Sequence, residues 1–258
     1  SRLKKISDRV ALLLNIARTN SNSGNECNCY PFPFFFFIII CLILELQAIL
    51  KKYWGYDDFR GIQREIIESI GSGRDTLGLM PTGGGKSITF QVPTLAQEGL
   101  CLVITPLIAL MKDQVANLRS RGIKAAAIYS GMTRQDILLT LDNCILGGYK
   151  FLYISPERLG TELFITKIKQ AQVCMIAVDE SHCISQWGYD FRPDYLLIKE
   201  LRNVVGDNVP FIALTAFIGN HFMDYIFSTI QKPCHSYCIK FCFVGFLGNK
   251  FIIYYFVM

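Results

Sequence analysis

Charge is what this chain has least of: 18% of its 258 residues are Asp, Glu, Lys or Arg, against about a quarter in ordinary soluble domains. The net charge of +5 admits a polyanionic partner without being the strongly basic footprint that by itself points to nucleic acid. An apolar run long enough to cross a bilayer is also missing. The run from Phe34 to Leu44 falls short of the roughly twenty residues that a helical span needs, so no membrane partner is expected. Lys4 and Lys5 are followed by a long stretch of mixed polarity, which is poor architecture for a cleavable signal. The ten cysteines form no recognisable disulfide framework, which points to free thiols and an intracellular setting: cytoplasm or nucleoid in a bacterium, nucleus in a eukaryote. Cys27 and Cys29, like Cys234, Cys238 and Cys242 beside His235, lack the paired spacings of structural zinc sites. No internal repeat is visible.

What is present falls into three textures. Most of the 19 phenylalanines lie before residue 51 or after residue 216, and the stretch 217–258 carries a single acidic residue, Asp224. The expected organisation is therefore a segment 1–50 and an apolar tail 217–258, both foreign to a central domain 51–216. Within that domain short β-rich runs alternate with amphipathic segments, the pattern of an α/β fold in which a parallel sheet is covered by helices. The strands are predicted at Thr76–Leu79, Leu100–Ile104, Ala125–Tyr129, Phe151–Ile154, Cys174–Val178 and Phe211–Leu214, with helices at Ile108–Arg121 and Arg134–Leu146 among them.

Two segments carry chemistry. Met80-Pro81-Thr82-Gly83-Gly84-Gly85-Lys86-Ser87 follows a strand and opens a segment that can be helical. Glycines let backbone N–H groups turn inward around phosphate oxygens, and a helix N-terminus adds a favourable dipole. Lys86 would neutralise the β- and γ-phosphates and the Ser87 hydroxyl would ligate Mg²⁺, although Met80 stands where the full phosphate-loop pattern has its first glycine. Farther on, Cys174–Val178 runs straight into Asp179-Glu180-Ser181-His182. Adjacent carboxylates at a strand end can send one acid, Asp179, toward Mg²⁺ and the other, Glu180, toward a water in line with the γ-phosphate. Together the two segments point to an NTPase, and the resemblance that follows implies ATP as its nucleotide.

The order Gly-Lys-Ser then Asp-Glu-X-His resembles the superfamily 2 helicases, and Ile184-Ser185-Gln186-Trp187-Gly188-Tyr189-Asp190-Phe191-Arg192-Pro193 resembles the aromatic-rich loop of the RecQ family. Tyr53 to Gln63 is similar to that family's adenine-recognition motif, and Thr105 to Gln114 and Tyr153 to Leu159 to two of its DNA-facing motifs. The resemblance implies a RecA-like first lobe, a P-loop NTPase unit of a 3′-to-5′ DNA helicase, with Lys86, Asp179, Glu180 and His182 as its catalytic group. It implies nucleotide binding by Tyr56, Arg60, Gln63, Thr82, Gly83, Gly84, Gly85, Lys86 and Ser87. Tyr56 would stack on the base, Gln63 would read its edge and Arg60 would assist, the three sharing a face if the segment is helical. Trp187 and Phe191 would stack on bases of single-stranded or partly duplex DNA, and Arg192 would contact phosphate or a base face.

Two positions depart from the family pattern. Ser181 replaces an alanine, and Phe217 stands where the threonine ending Thr215-Ala216-Thr is expected. No second lobe of this kind is recognisable in the 258 residues, so nucleotide binding is expected to outrun hydrolysis. A non-catalytic nucleotide- or DNA-binding fragment and a membrane-attached NTPase are the competing expectations.

Overall fold

The computed structural model of the protein describes residues 44–184, 192–216, 241–247 and 250–256, the last two stretches as backbone alone. The chain forms two compact units, Ser1–Asp58 and Phe59–Met258. Of the first, residues 44–54 make helix α1. It stops at Gly55, whose φ of +77° and N–H to the Lys51 carbonyl (3.0 Å) form a left-handed C-terminal cap open to a residue without a Cβ. The Lys51 ammonium pairs with Asp57 at 2.7 Å and Gln47 Nε2 donates to Asp58 Oδ1 at 3.1 Å, fastening the turn to its helix.

The second unit is built on a sheet whose strands are β1 (Asp75–Leu79), β2 (Leu100–Ile104), β3 (Ala125–Ile128), β4 (Phe151–Ile154), β5 (Val173–Val178), β6 (Phe211–Thr215), β7 (Phe241–Leu247) and β8 (Lys250–Phe256). Their order across the sheet is β3-β4-β2-β5-β6-β1-β7-β8. The first six are parallel, β7 pairs parallel with β1, and β8 pairs antiparallel with β7. All six strands predicted from the apolar runs are present, displaced at their ends by no more than a residue, in the RecA-like arrangement of a parallel sheet flanked by helices. β7 and β8 come from the tail to which the sequence assigned no element.

Helix α2 (Gln63–Gly71) precedes β1, and α3 (Ile88–Ala96), α4 (Ile108–Ser120), α5 (Arg134–Leu146), α6 (Glu162–Ile168) and α7 (Ile198–Val205) lie between successive strands from β1 to β6. A parallel sheet covered on both faces wants apolar residues at every position, and Leu100–Ile104, Phe151–Ile154 and Phe211–Thr215 are buried throughout. Side chains such as Leu102, Ile154 and Ile176, all fully buried, each contribute about 1.5–3 kcal/mol by leaving water. Gly78 lets α2 approach β1: a Cβ there would stand 2.8 Å from Leu214 Cδ2 and 3.0 Å from Ile66 Cδ1. At the amino ends of the strands, Asp75 accepts from Arg202 of α7 (2.8 Å) and from the Phe211 N–H of β6 (3.0 Å), while the guanidinium lies 4.0 Å from the Phe211 ring centre. One buried carboxylate thus ties β1, β6 and α7.

Because six neighbouring strands run the same way, the segments following β1, β2, β4, β5 and β6 all emerge on one edge of the sheet. In open α/β sheets that edge is where ligands bind.

Candidate phosphate-binding and catalytic site

The loop after β1 starts with Met80 still tied to the sheet, its N–H donating to the Thr215 carbonyl at 3.0 Å. It then turns on Gly84 N–H to Pro81 O, also 3.0 Å, and reaches α3 through Ser87. Gly83 and Gly85 both have φ of +79°, which side chains rarely tolerate. Gln63 holds the loop from α2: its Nε2 donates to the carbonyls of Gly84 (3.1 Å) and Gly85 (3.3 Å), and its Oε1 accepts from the Arg60 N–H at 2.8 Å. A Cβ on Gly85 would collide with that amide. α3 starts directly after the loop, with the Ile88 N–H donating to Gly85 O and the Thr89 N–H to Lys86 O, both at 3.1 Å, so the loop leads straight into a helix N-terminus, the end that favours anions.

Asp179 and Glu180 leave β5 on the same edge. The Asp179 N–H is paired to Ile104 O (2.9 Å), and its Oδ1 accepts the Glu180 N–H at 3.0 Å. Burial, reinforced by the neighbouring Glu180 charge and opposed by Lys86 and the Glu180 amide, pushes its carboxyl up to about 6. Glu180 is the one non-glycine residue with positive φ, +47°, among the described residues. That conformation costs about 1–3 kcal/mol for a residue with a side chain and concentrates at functional sites. Its carboxylate meets Lys86 Nζ at 3.2 Å and His182 Nδ1 at 3.3 Å, and the same Nδ1 lies 3.3 Å from Thr215 Oγ1 at the end of β6. Lys86, Glu180, His182 and Thr215, at the ends of three neighbouring strands, therefore form one continuous polar chain. Among the described residues the hydroxyls of Thr105, Ser155 and Ser181, after β2, β4 and β5, are buried and meet no hydrogen-bond partner. At 181 the serine thus occupies the small-residue position with its oxygen unpaired.

The adenine-side expectation is altered in one respect. Residues 56–62 are not helical and α2 starts only at Gln63, because Gly55 and Gly61 take φ of +77° and +52° and Asp57 and Asp58 favour turns. The helical face proposed for Tyr56, Arg60 and Gln63 does not form. Tyr56 belongs to the first unit and is exposed, while Arg60 and Gln63 belong to the second. The contact of Gln63 with the loop carbonyls was not foreseen, since no local signal records which carbonyls a glutamine will meet.

Trp187 and Phe191 lie outside the described residues. Arg192 closes that segment, its N–H donating to Cys183 O at 3.0 Å. Directly beyond it a 3₁₀ turn, Pro193–Leu197, buries Tyr195, whose hydroxyl donates to the Asp179 carbonyl at 3.1 Å. A further polar link crosses the interior: Gln91 of α3 donates to Gln114 of α4 and to the Tyr153 hydroxyl of β4, both at 3.1 Å. It joins the helix behind the phosphate loop to the helix after β2. Among the described residues no helix is long and apolar enough to cross a membrane.

Comparison with known proteins agrees with this geometry. The DEAD/DEAH box helicase family model matches residues 60–223. The chain is 44% identical over 173 residues to the probable ATP-dependent DNA helicase RecS of Bacillus subtilis, covering 67% of this chain and 34% of that protein. It is 46% identical to the ATP-dependent DNA helicase RecQ of Haemophilus influenzae and 47% identical to that of Bacillus subtilis, covering 66% of this chain and 27% and 29% of those proteins. The chain thus spans about a third or less of the length of these relatives. In fold it is similar to the DUF1998 helicase MrfA solved with DNA and AMPPNP, with a TM-score of 0.61 at 18% identity over 78% of this chain and 29% of that one. A hypothetical ATP-dependent RNA helicase from Sulfolobus tokodaii aligns with a TM-score of 0.56 at 18% identity, over 73% and 55% of the two chains.

Proposed function

The chain belongs to the DEAD/DEAH box helicase family, and from that premise we propose that it is the nucleotide-binding lobe of a DNA helicase motor, binding Mg-ATP on the edge of its sheet and single-stranded DNA on the loops beside it. The observation that carries this reading is the meeting of Lys86 with Glu180 at 3.2 Å, across 94 positions of sequence. A cation from the loop after β1 and a carboxylate from the end of β5 are what phosphoryl transfer to water demands, and packing alone has little use for them there.

The residues present fit the nucleotide and its metal. Gly83 and Gly85, both with φ of +79°, shape a turn that leaves open space around Gly83, Lys86 supplies the mobile cation, and Ser87 and Asp179 are oxygen donors of the kind Mg²⁺ takes. Bound Mg²⁺ supplies positive charge that offsets the charge building on the phosphates. Glu180 orients a water and accepts its proton, and His182 links that carboxylate to Thr215. ATP hydrolysis coupled to 3′-to-5′ movement on single-stranded DNA is supported by the similarity to RecQ and RecS. Thr105 to Gln114, Tyr153 to Leu159 and the segment from Trp187 to Arg192 are the proposed track, which implies an intracellular site of action.

Calorimetric titration of the protein with Mg-ATP tests the reading. Wild type binds, and Lys86→Ala loses binding because the variant lacks the cation that meets the β- and γ-phosphates. Equal affinity in the two proteins would remove Lys86 from the site.

A further inference from the structure

Glu180 is held in a left-handed backbone conformation that its own side chain opposes, so something outside the residue must hold it. The peptide joining Asp179 to Glu180 is gripped at both of its polar ends. Its N–H donates to the Asp179 carboxylate at 3.0 Å, and its carbonyl accepts from the Tyr195 hydroxyl at 3.1 Å. Turning that peptide toward an ordinary φ would swing the carbonyl away from Tyr195, and it would carry the Glu180 carboxylate off Lys86 and His182. Tyr195 cannot follow, because its ring is fully buried and its own N–H is bonded to Arg192 O at 3.0 Å. Arg192 in turn is tied to Cys183.

We propose that Tyr195 is a positioning residue for Glu180: its buried hydroxyl, bonded to the Asp179 carbonyl, locks the 179–180 peptide in the orientation that aims the Glu180 carboxylate at Lys86 and His182. The proposal rests on the functional reading above for its catalytic consequence and on the peptide geometry for its structural one. Tyr195 acts on Glu180 through the peptide that its hydroxyl holds. A tyrosine buried solely for packing would serve as well without its hydroxyl.

The experiment compares the whole chain with Tyr195→Phe, which keeps the ring and deletes only the donor. Mg-ATP affinity and melting temperature stay close to wild type, the KM for ATP is unchanged, and kcat falls roughly ten- to a hundredfold, the scale of a slight misplacement of a reacting group. Unchanged kcat overturns the proposal. So does a parallel loss of affinity, kcat and melting temperature, which marks a merely structural residue. A second measurement is independent of hydrolysis: the Glu180 ¹³Cα shift and its HN–Hα coupling, read by NMR in both proteins. These move in the variant while the signals of β2 and β4 stay in place. Glu180 signals identical in the two proteins overturn the proposal whether or not the chain hydrolyses ATP. If wild type neither binds nor hydrolyses ATP, the functional reading fails and the NMR comparison still decides on Tyr195.

Discussion

At the scale of single residues, Asp179 pits function against stability. Its carboxyl is pushed up to about 6 in the folded chain, chiefly by burial, so between roughly pH 4 and 6 the folded state binds a proton that the unfolded chain has released. The protonated acid favours the fold, and that contribution is lost as pH rises through 6. At neutral pH the buried charge is therefore carried at a cost to stability. Asp179→Asn keeps the oxygen that accepts the Glu180 amide and removes the charge. Urea denaturation in chelating buffer is expected to find the variant more stable than wild type at pH 7.5, with the gain shrinking as pH falls from 6 to 4. A variant less stable at pH 7.5 would mean that the charge is better compensated than the burial of Asp179 implies. A buried acid retained in this position is understandable if its work is to hold a cation.

At the scale of elements, the phosphate loop and the Asp75 staple separate binding from stability. Gly85 has φ of +79° and a Cβ there meets the Gln63 amide, so Gly85→Ala distorts the loop where it approaches phosphate. Mg-ATP affinity falls about ten- to a hundredfold with little change in melting temperature, because the loop lies outside the strand core; affinity equal to wild type in calorimetry would mean the loop can relax around a methyl group. The Asp75 staple has the opposite signature. Asp75→Ala leaves the Arg202 guanidinium, 6% exposed, without its carboxylate and the Phe211 amide without its acceptor, at a cost of about 3–5 kcal/mol for a broken buried pair. Denaturant unfolding reads that loss, whereas the nucleotide affinity of the folded fraction stays near wild type, the staple being at the far ends of the strands. A loss below about 1 kcal/mol would indicate that water reaches Arg202 and replaces the carboxylate.

For the whole molecule, DNA binding is expected to depend on salt and to be nearly indifferent to sequence, because phosphate contacts dominate it. Stacking by Trp187 and Phe191, which lie outside the described residues, adds about 1–3 kcal/mol per base. Alanine at both positions weakens single-stranded DNA binding at every salt concentration and leaves the slope of log affinity against log salt almost unchanged. Fluorescence anisotropy over a salt series reads both quantities, and unchanged affinity with nucleotide binding intact would take these aromatics off the DNA.

The parts legible in the sequence are those governed by neighbours along the chain. Leu100–Ile104, Phe151–Ile154 and Phe211–Leu214 read as strands because a strand buried on both faces must be apolar at each position. Gly83-Gly84-Gly85-Lys86-Ser87 reads as a phosphate loop because its chemistry needs those residue types in that order. The acids at the end of β5 follow from the same local logic. Only the tertiary structure decided what meets across long separations: Asp75 with Arg202, Gln63 with the carbonyls of Gly84 and Gly85, His182 with Thr215, and the Tyr195 hydroxyl with the Asp179 carbonyl. It also decided that residues 56–62 are not helical and that Glu180 is left-handed. Local sequence sets which conformations are cheap, but a strained residue or a buried polar atom takes its final state from partners that packing brings to it, and those partners leave no periodic trace in the chain.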